Sequence, residues 1–335
     1  MQAIYPLENP VMTYAWGSHT AMADLVGRPQ PSETPQAELW MGAHPKAPSL
    51  IARQHPPVSL LDLIVNDPQK MLGDRVHGAF GNKLPFLFKV LAAREPLSIQ
   101  AHPSLAQARA GFARENRAGI PLDAPRRNYR DDNHKPELIC ALTPFWALCG
   151  FRPPEQIARL LEKACGGTLT HVISRLLSPP EPLPLRMFLA GLLSLSPDGR
   201  DEVLEEAIGF CLTTREDAAH WRWLPRLAKA YPGDIGALAP LFLNLVCLQP
   251  GEALFLPSGE LHAYLEGTGI EIMANSDNVL RGGLTPKHVD LPELLDVLNF
   301  ECHDLDILTA RAKMPGVAAY DVHCPEFQMH RVVPG

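Results

Sequence analysis

The sequence predicts a mainly β protein interrupted by one inserted block of helices, and three observations carry that expectation. Leu97, Ile99 and Ala101 alternate with Ser98, Gln100 and His102, the period-2 pattern of a strand. The 34 prolines are about twice the usual share and favour turns over long helices. Residues 152–236 change character, with one helically spaced apolar piece after another. A chain of 335 residues is long for one hydrophobic core, so two or three cores are expected.

Residues 1–58 mix short apolar pieces with turn signals such as Trp16-Gly17-Ser18-His19 and Met41-Gly42-Ala43-His44-Pro45, which suits short strands and loops. Leu60, Leu61, Leu63, Ile64 and Met71 predict a short helix over Ser59–Leu72, with Ser59 as its N-cap. Leu84–Leu91 reads as a buried strand holding one charge, Lys89; a buried lysine is costly without a partner. In the next strand Gln100 and His102 share the polar face, where a metal is expected, and Pro103 ends it. Residues 103–133 are polar and end in the charged run Arg126–Asp132, which by itself reads as a solvated loop. His134–Leu142 returns to strand, with Lys135 and Glu137 on one face.

The inserted helices begin with Ile157, Leu160, Leu161 and Ala164, closed by Gly166-Gly167. Periodic pieces follow at Val172–Leu177, Leu185–Leu195, Val203–Leu212 and Asp217–Tyr231. Strands resume at Leu241–Leu248 and run through Asn275, with turns expected at Gln249-Pro250-Gly251 and Glu266–Gly269. Leu291, Leu294, Leu295 and Leu298 mark a short helix in 285–299, and the final 35 residues are strand-like.

Composition excludes several functions. A formal net charge of −7 offers no basic field for nucleic acid. Seven cysteines without a C-x-x-C pair suit a reduced, intracellular chain. The N-terminus lacks the basic and apolar regions of a signal peptide, and no 18-residue apolar run occurs. A cytoplasmic protein is expected, monomeric and without membrane contact.

Gly251-x5-Pro257-x-Gly259-x2-His262 allows a sharp strand-turn-strand, after which Glu260, His262 and Tyr264 alternate on one face. A two-residue turn at Glu266-Gly267 or Gly267-Thr268 would pair Glu271 with His262 or Tyr264. Directly opposed residues point to one face, so either register sends Glu271 toward the metal side. The spacing around His262 resembles the second motif of the cupin superfamily, small jelly-roll barrels with a metal inside. Glu266 stands where that motif usually has Asn. Its first motif survives only as Gln100-x-His102, with Arg94 in the glycine's place.

Both departures fit one family. The strings LPFLFKVLAAREPLSIQAHPS, NHKPELICALTPFWALCGFRP, PGEALFLPSGELHAYLEG and IMANSDNVLRGGLTPKHVD closely resemble type I mannose-6-phosphate isomerases. YAWGSH, AELWMGAHPKAPS and DIGALAPLFLNLVCL extend the resemblance from residue 14 to about 300. It implies one zinc ion per chain, held by Gln100, His102, Glu137 and His262; nitrogen and oxygen donors without thiolate suit catalytic zinc. It also implies that Glu271, Arg281, Lys287, Lys89 and Lys135 enter the active-site cleft. Glu271, Lys89, Lys135 and Arg281 are the catalytic candidates, and Lys287, Tyr264 and Asp277 the substrate contacts.

The implied architecture is a cupin-type jelly roll over 1–151 and 237–300, a helical domain inserted at 152–236, and a smaller C-terminal β domain at 301–335. Family members usually run several strands further, so the last part is expected to be a short or incomplete second jelly roll. The implied reaction interconverts mannose 6-phosphate and fructose 6-phosphate, moving a proton between C1 and C2 through an enediol(ate). The substrate's phosphate would explain four cations in an acidic protein. Two other classes fit a metal cupin: an oxygen-dependent dioxygenase, disfavoured by Gln100 and the lysines, and a non-catalytic sugar-phosphate sensor.

Overall fold

The computed structural model describes residues 4–52, 56–177 and 184–334. Met1–Ala3 and Gly335, at the ends of two of the expected units, lie outside them. Among the described residues an eleven-stranded sheet forms the centre. Its spine is one strand, His262–Ala274. The first part of this strand pairs with Phe145–Phe151 and Ile99–Ala101. The second part pairs with Phe86–Ala93 and Glu137–Ala141. The same strand thus belongs to both layers of a jelly-roll-like sandwich. Leu91, Ile139, Phe145, Ala147, Leu254 and Tyr264 fill the space between the layers.

Both outer faces are covered, which explains why all five residues of Glu137–Ala141 are buried. Over one face lie the helices Pro154–Cys165, Thr170–Leu177, Pro184–Leu193, Pro197–Thr213 and Ala219–Ala230. Their apolar stripes pack with Leu148, Phe151, Ala263 and Leu265 of the strands. Against the other face sits a small sheet of Arg311–Met314, Val317–Ala319 and His330–Val332. There Tyr320, Phe327 and Met329 meet Leu138, Cys140 and Ile272. The central sheet reaches past residue 300, because Ile307–Thr309 pairs with Glu252–Leu256. No helix of the described residues is long and apolar enough to cross a membrane.

The turn expected at Glu266–Gly269 does not exist; the strand runs straight through it. Instead a β-bulge between Tyr264 and Glu266 interrupts the pairing. Gly267, at φ +134°, is needed because a Cβ there would lie 2.7 Å from the Pro144 carbonyl oxygen. One extra residue on one side of a ladder reverses which face the following side chains take. His262 and Tyr264 before the bulge and Glu271 after it therefore face the same interior. The expected direction of Glu271 is right, and the expected route to it is wrong.

The polar stretch 103–133 holds a helix, Leu105–Arg117, opened by a capping box between Ser104 and Gln107. Its buried positions are Ala108, Gly111 and Glu115, too small or polar to give an apolar stripe. The run Arg126–Asp132, expected as a solvated loop, is in part buried. Arg127 and Tyr129 are buried, Arg127 Nε donates to the Tyr129 carbonyl at 2.6 Å, and Glu115 accepts from the amides of Asn128 and Tyr129. The helix begun by Ser59 ends at Asn66, and a second, Pro68–Phe80, follows with a kink at Gly73.

Candidate active site

The strands bring Gln100, His102, Glu137 and His262 to one place. His262 is directly opposite Gln100 across the ladder, and Gln100 Nε2 lies 3.4 Å from His262 Nε2. Glu137 reaches both histidines, with Oε1 3.3 Å from His102 Nε2 and Oε2 3.4 Å from His262 Nε2. His102, Glu137 and His262 are each 1% exposed. Each histidine anchors Nδ1 on a backbone carbonyl: His102 on Asn278 at 2.7 Å and His262 on Glu260 at 2.9 Å. That fixes the tautomer and leaves Nε2 as the free donor atom.

The chemistry of this donor set fits a metal ion. His102 Nε2 is buried without a hydrogen-bond partner, although buried polar atoms are normally satisfied, and Glu137 Oε1, 3.3 Å from it, lies against the Lys135 ammonium. A cation there would give the imidazole nitrogen the partner it lacks. Burial, with Lys135 adding to it, pushes His102 down to about 4, so its imidazole is neutral and able to ligate at pH 7. Burial alone would raise Glu137, but Lys135, at 2.7 Å, and His102 outweigh it and hold the carboxyl well below its usual range.

Beside these residues lies a buried wall of alternating charge. Lys89 stands between two carboxylates, 3.0 Å from Glu271 Oε2 and 3.4 Å from Glu38 Oε1. Burial opposes its charge, yet Glu271 and Glu38 together raise its pKa. Burial raises Glu271, with Lys89 pulling the other way. Glu38 is fastened by Trp40 Nε1 at 2.7 Å. Tyr264 donates from its hydroxyl to Glu137 Oε2 at 3.4 Å, and burial keeps that phenol protonated.

At the edge of the site Asp277 pairs with Lys46 at 2.8 Å and lies 3.7 Å from His44 Nε2. Arg281, opposite Gln100, is held below its usual range by burial and by Arg130. Lys287 is exposed and is lowered by partial burial, then by Arg281, Arg130 and Lys46. Glu260, expected on the face of His262, instead lines a separate cavity of about 310 Å3, 3.6 Å from His303.

Sequence reading missed Glu38, Trp40, His44, Lys46, Arg130 and Asn278. A signal existed for the first two. Glu38–Met41 alternates in burial, and a glutamate shares the inward face with a tryptophan.

Comparison with known proteins places this geometry. Residues 4–154 match the family described as "Phosphomannose isomerase type I, catalytic domain". The chain is 44% identical over 323 residues to the mannose-6-phosphate isomerase of Escherichia coli K12, covering 96% of this chain and 81% of the relative. To the human mannose-6-phosphate isomerase it is 36% identical over 359 residues, covering 99% and 82%. Among solved structures, a Salmonella typhimurium mannose 6-phosphate isomerase bound to zinc and its substrate, fructose 6-phosphate, superposes with a TM-score of 0.88. It is 43% identical, with 96% of this chain and 81% of that one covered. A second, zinc-bound mannose 6-phosphate isomerase gives 0.87 at the same identity and coverage.

Proposed function

The chain belongs to the type I phosphomannose isomerase family, and from that premise we propose that it interconverts mannose 6-phosphate and fructose 6-phosphate with one zinc ion. The observation that carries the reading is the buried cluster of His102, Glu137 and His262, in which His102 Nε2 has no hydrogen-bond partner, beside the Lys89–Glu271 pair. Dioxygenase and sensor readings give way to this one, because the relatives are isomerases.

Gln100, His102, Glu137 and His262 are the residues that would hold the ion, Gln100 through its amide oxygen. When bound, the ion supplies Lewis acidity that stabilises negative charge developing on substrate oxygens. Glu271 is our choice of base. In the direction from aldose to ketose its carboxylate takes the proton from C2 of the open-chain sugar and returns it to C1. Burial supports that role by raising the carboxyl toward the working pH. Lys89, kept charged by Glu38 and Glu271, orients the carboxylate and is not itself free to accept a proton. Lys135 holds Glu137 ionised. Arg281 faces the enediolate or the phosphate, and Lys287 the phosphate, both lacking a carboxylate partner among the described residues. Tyr264 and Asp277 complete the substrate contacts.

We assign catalysis to 1–151 and 237–300, with 152–236 as the inserted helical unit and 301–335 as the smaller unit, which lends the strand Ile307–Thr309 to the central sheet. Every site residue named above falls in the first. We also propose a cytoplasmic monomer; the seven cysteines, all free thiols, support a reducing compartment. The test is a coupled assay of the zinc-loaded chain for fructose 6-phosphate formed from mannose 6-phosphate. Turnover is expected, and its absence with zinc bound would overturn the proposal.

A further inference from the structure

Asn278 lies between the strands His262–Ala274 and Leu280–Gly283 and is 0% exposed. Its backbone carbonyl accepts from His102 Nδ1 at 2.7 Å. Its side chain points to the loop 130–133. There Oδ1 accepts from the backbone N–H groups of Arg130 at 2.7 Å and Asp131 at 3.2 Å. Nδ2 donates to the carbonyls of Asp131 and Asn133, both at 2.9 Å, and to Asp131 Oδ1 at 3.2 Å. Both lone pairs and both hydrogens of the amide are therefore in use. The contact is returned: the Asp131 carboxylate accepts from Ser276 Oγ at 2.8 Å and from the Asp277 amide at 2.7 Å.

The chemistry on either side gives this joint its meaning. The loop 130–133 runs directly into Lys135 and Glu137, while Arg281 lies three residues beyond Asn278. One side chain thus sets the register between the segment that delivers Glu137 and the carbonyl that aims His102. An imidazole keeps its free nitrogen aimed only as well as the acceptor of its other N–H is held.

We infer that Asn278 is a positioning residue for metal binding, coupling the orientation of His102 to the placement of Glu137. Any residue at 278 keeps the carbonyl; only an amide spanning to 130–133 holds that carbonyl in place. The inference rests on the zinc reading above.

Chelator competition on folded protein tests it, comparing the parent with Asn278→Ala and Tyr320→Phe. Tyr320 serves as control because its hydroxyl bonds Gly251 and Cys140 on the outer face of the sheet. Asn278→Ala should raise the zinc Kd about 10–100-fold, with Tyr320→Phe within about twofold of the parent. A folded Asn278→Ala chain with the parent's affinity, or an equal loss in Tyr320→Phe, would overturn the inference. Should Asn278→Ala not fold, amide exchange in the parent decides. Coupling is reciprocal, so zinc should slow exchange at the Arg130 and Asp131 amides about tenfold or more; unchanged exchange overturns it. A parent that binds no zinc fails the metal reading itself, whereas a zinc-binding parent with an indifferent variant fails the inference alone.

Discussion

Lys89 and Glu271 stand directly opposite each other on neighbouring strands, and their charged atoms lie 3.0 Å apart in the interior of the sandwich. Glu38 approaches the same ammonium from the next strand, and the Trp40 ring lies 5.3 Å from it. A lysine so enclosed stays protonated. The proton of the sugar must then move on another group, and the carboxylate that burial has raised is the one beside it.

Glu271→Gln should therefore lower kcat about 10²–10⁴-fold while zinc content and fold are kept. The sign of the pH dependence follows from the raised pKa. A base works ionised, so the parent's kcat/KM should fall as pH drops through a limb above the ordinary carboxylate range. That limb should vanish in the variant. Steady-state kinetics over pH read both outcomes, and a near-normal rate would move the role elsewhere.

Lys89→Met strands two buried carboxylates. Removing one partner of a buried ion pair costs about 3–5 kcal/mol, and urea unfolding should show a loss of that order. Adding Glu38→Gln removes one of the stranded charges, so the double variant should be more stable than Lys89→Met alone. Equal stability would show that Glu38 and Lys89 do not interact.

His262→Ala deletes one of the anchored imidazoles. Elemental analysis of protein purified without added metal should find about one zinc per parent chain, as a site of this ligand count requires. The variant should lose most of it. Stoichiometric zinc with intact activity in the variant would dismiss the proposed ligand set.

Arg281→Ala should lower kcat about 10²-fold or more if the guanidinium stabilises the enediolate. Arg281→Lys should also be impaired, since it keeps the charge and loses the planar fork. A rise in KM with kcat unchanged would instead assign Arg281 to uniform binding of the phosphate.

Tyr320→Phe removes a hydrogen bond to the Gly251 carbonyl at 2.8 Å. It should destabilise the chain by about 0.5–1.5 kcal/mol and leave kcat unchanged, because the bond lies behind the sheet. Thermal unfolding and the coupled assay check the two halves of that expectation.

The helix Leu105–Arg117 shows where periodicity stops being informative. Its buried face is Ala108, Gly111 and Glu115, and a Cβ at Gly111 would fall 2.3 Å from the Tyr129 ring. Close approach of a distant aromatic, not an apolar stripe, fastens this helix. Its capping residues Ser104 and Gln107 were the signal available, and they stand in the sequence as a readable pair.

By itself the sequence determined the strand alternation that puts Gln100 and His102 on one face, the apolar stripes of the inserted helices, and the long motifs that mark the family. Those are local properties: side chains alternate along a strand and recur along a helix whatever lies beyond. Only the tertiary structure decided that Glu271 faces the same interior as His262. Between them the strand exchanges one set of partners for another across a bulge, and a single unpaired residue reverses the parity on which any local reading depends. The part of Asn278 belongs to the same class. Its link to His102 is made by a backbone carbonyl, which every residue carries, so chain geometry alone could select it.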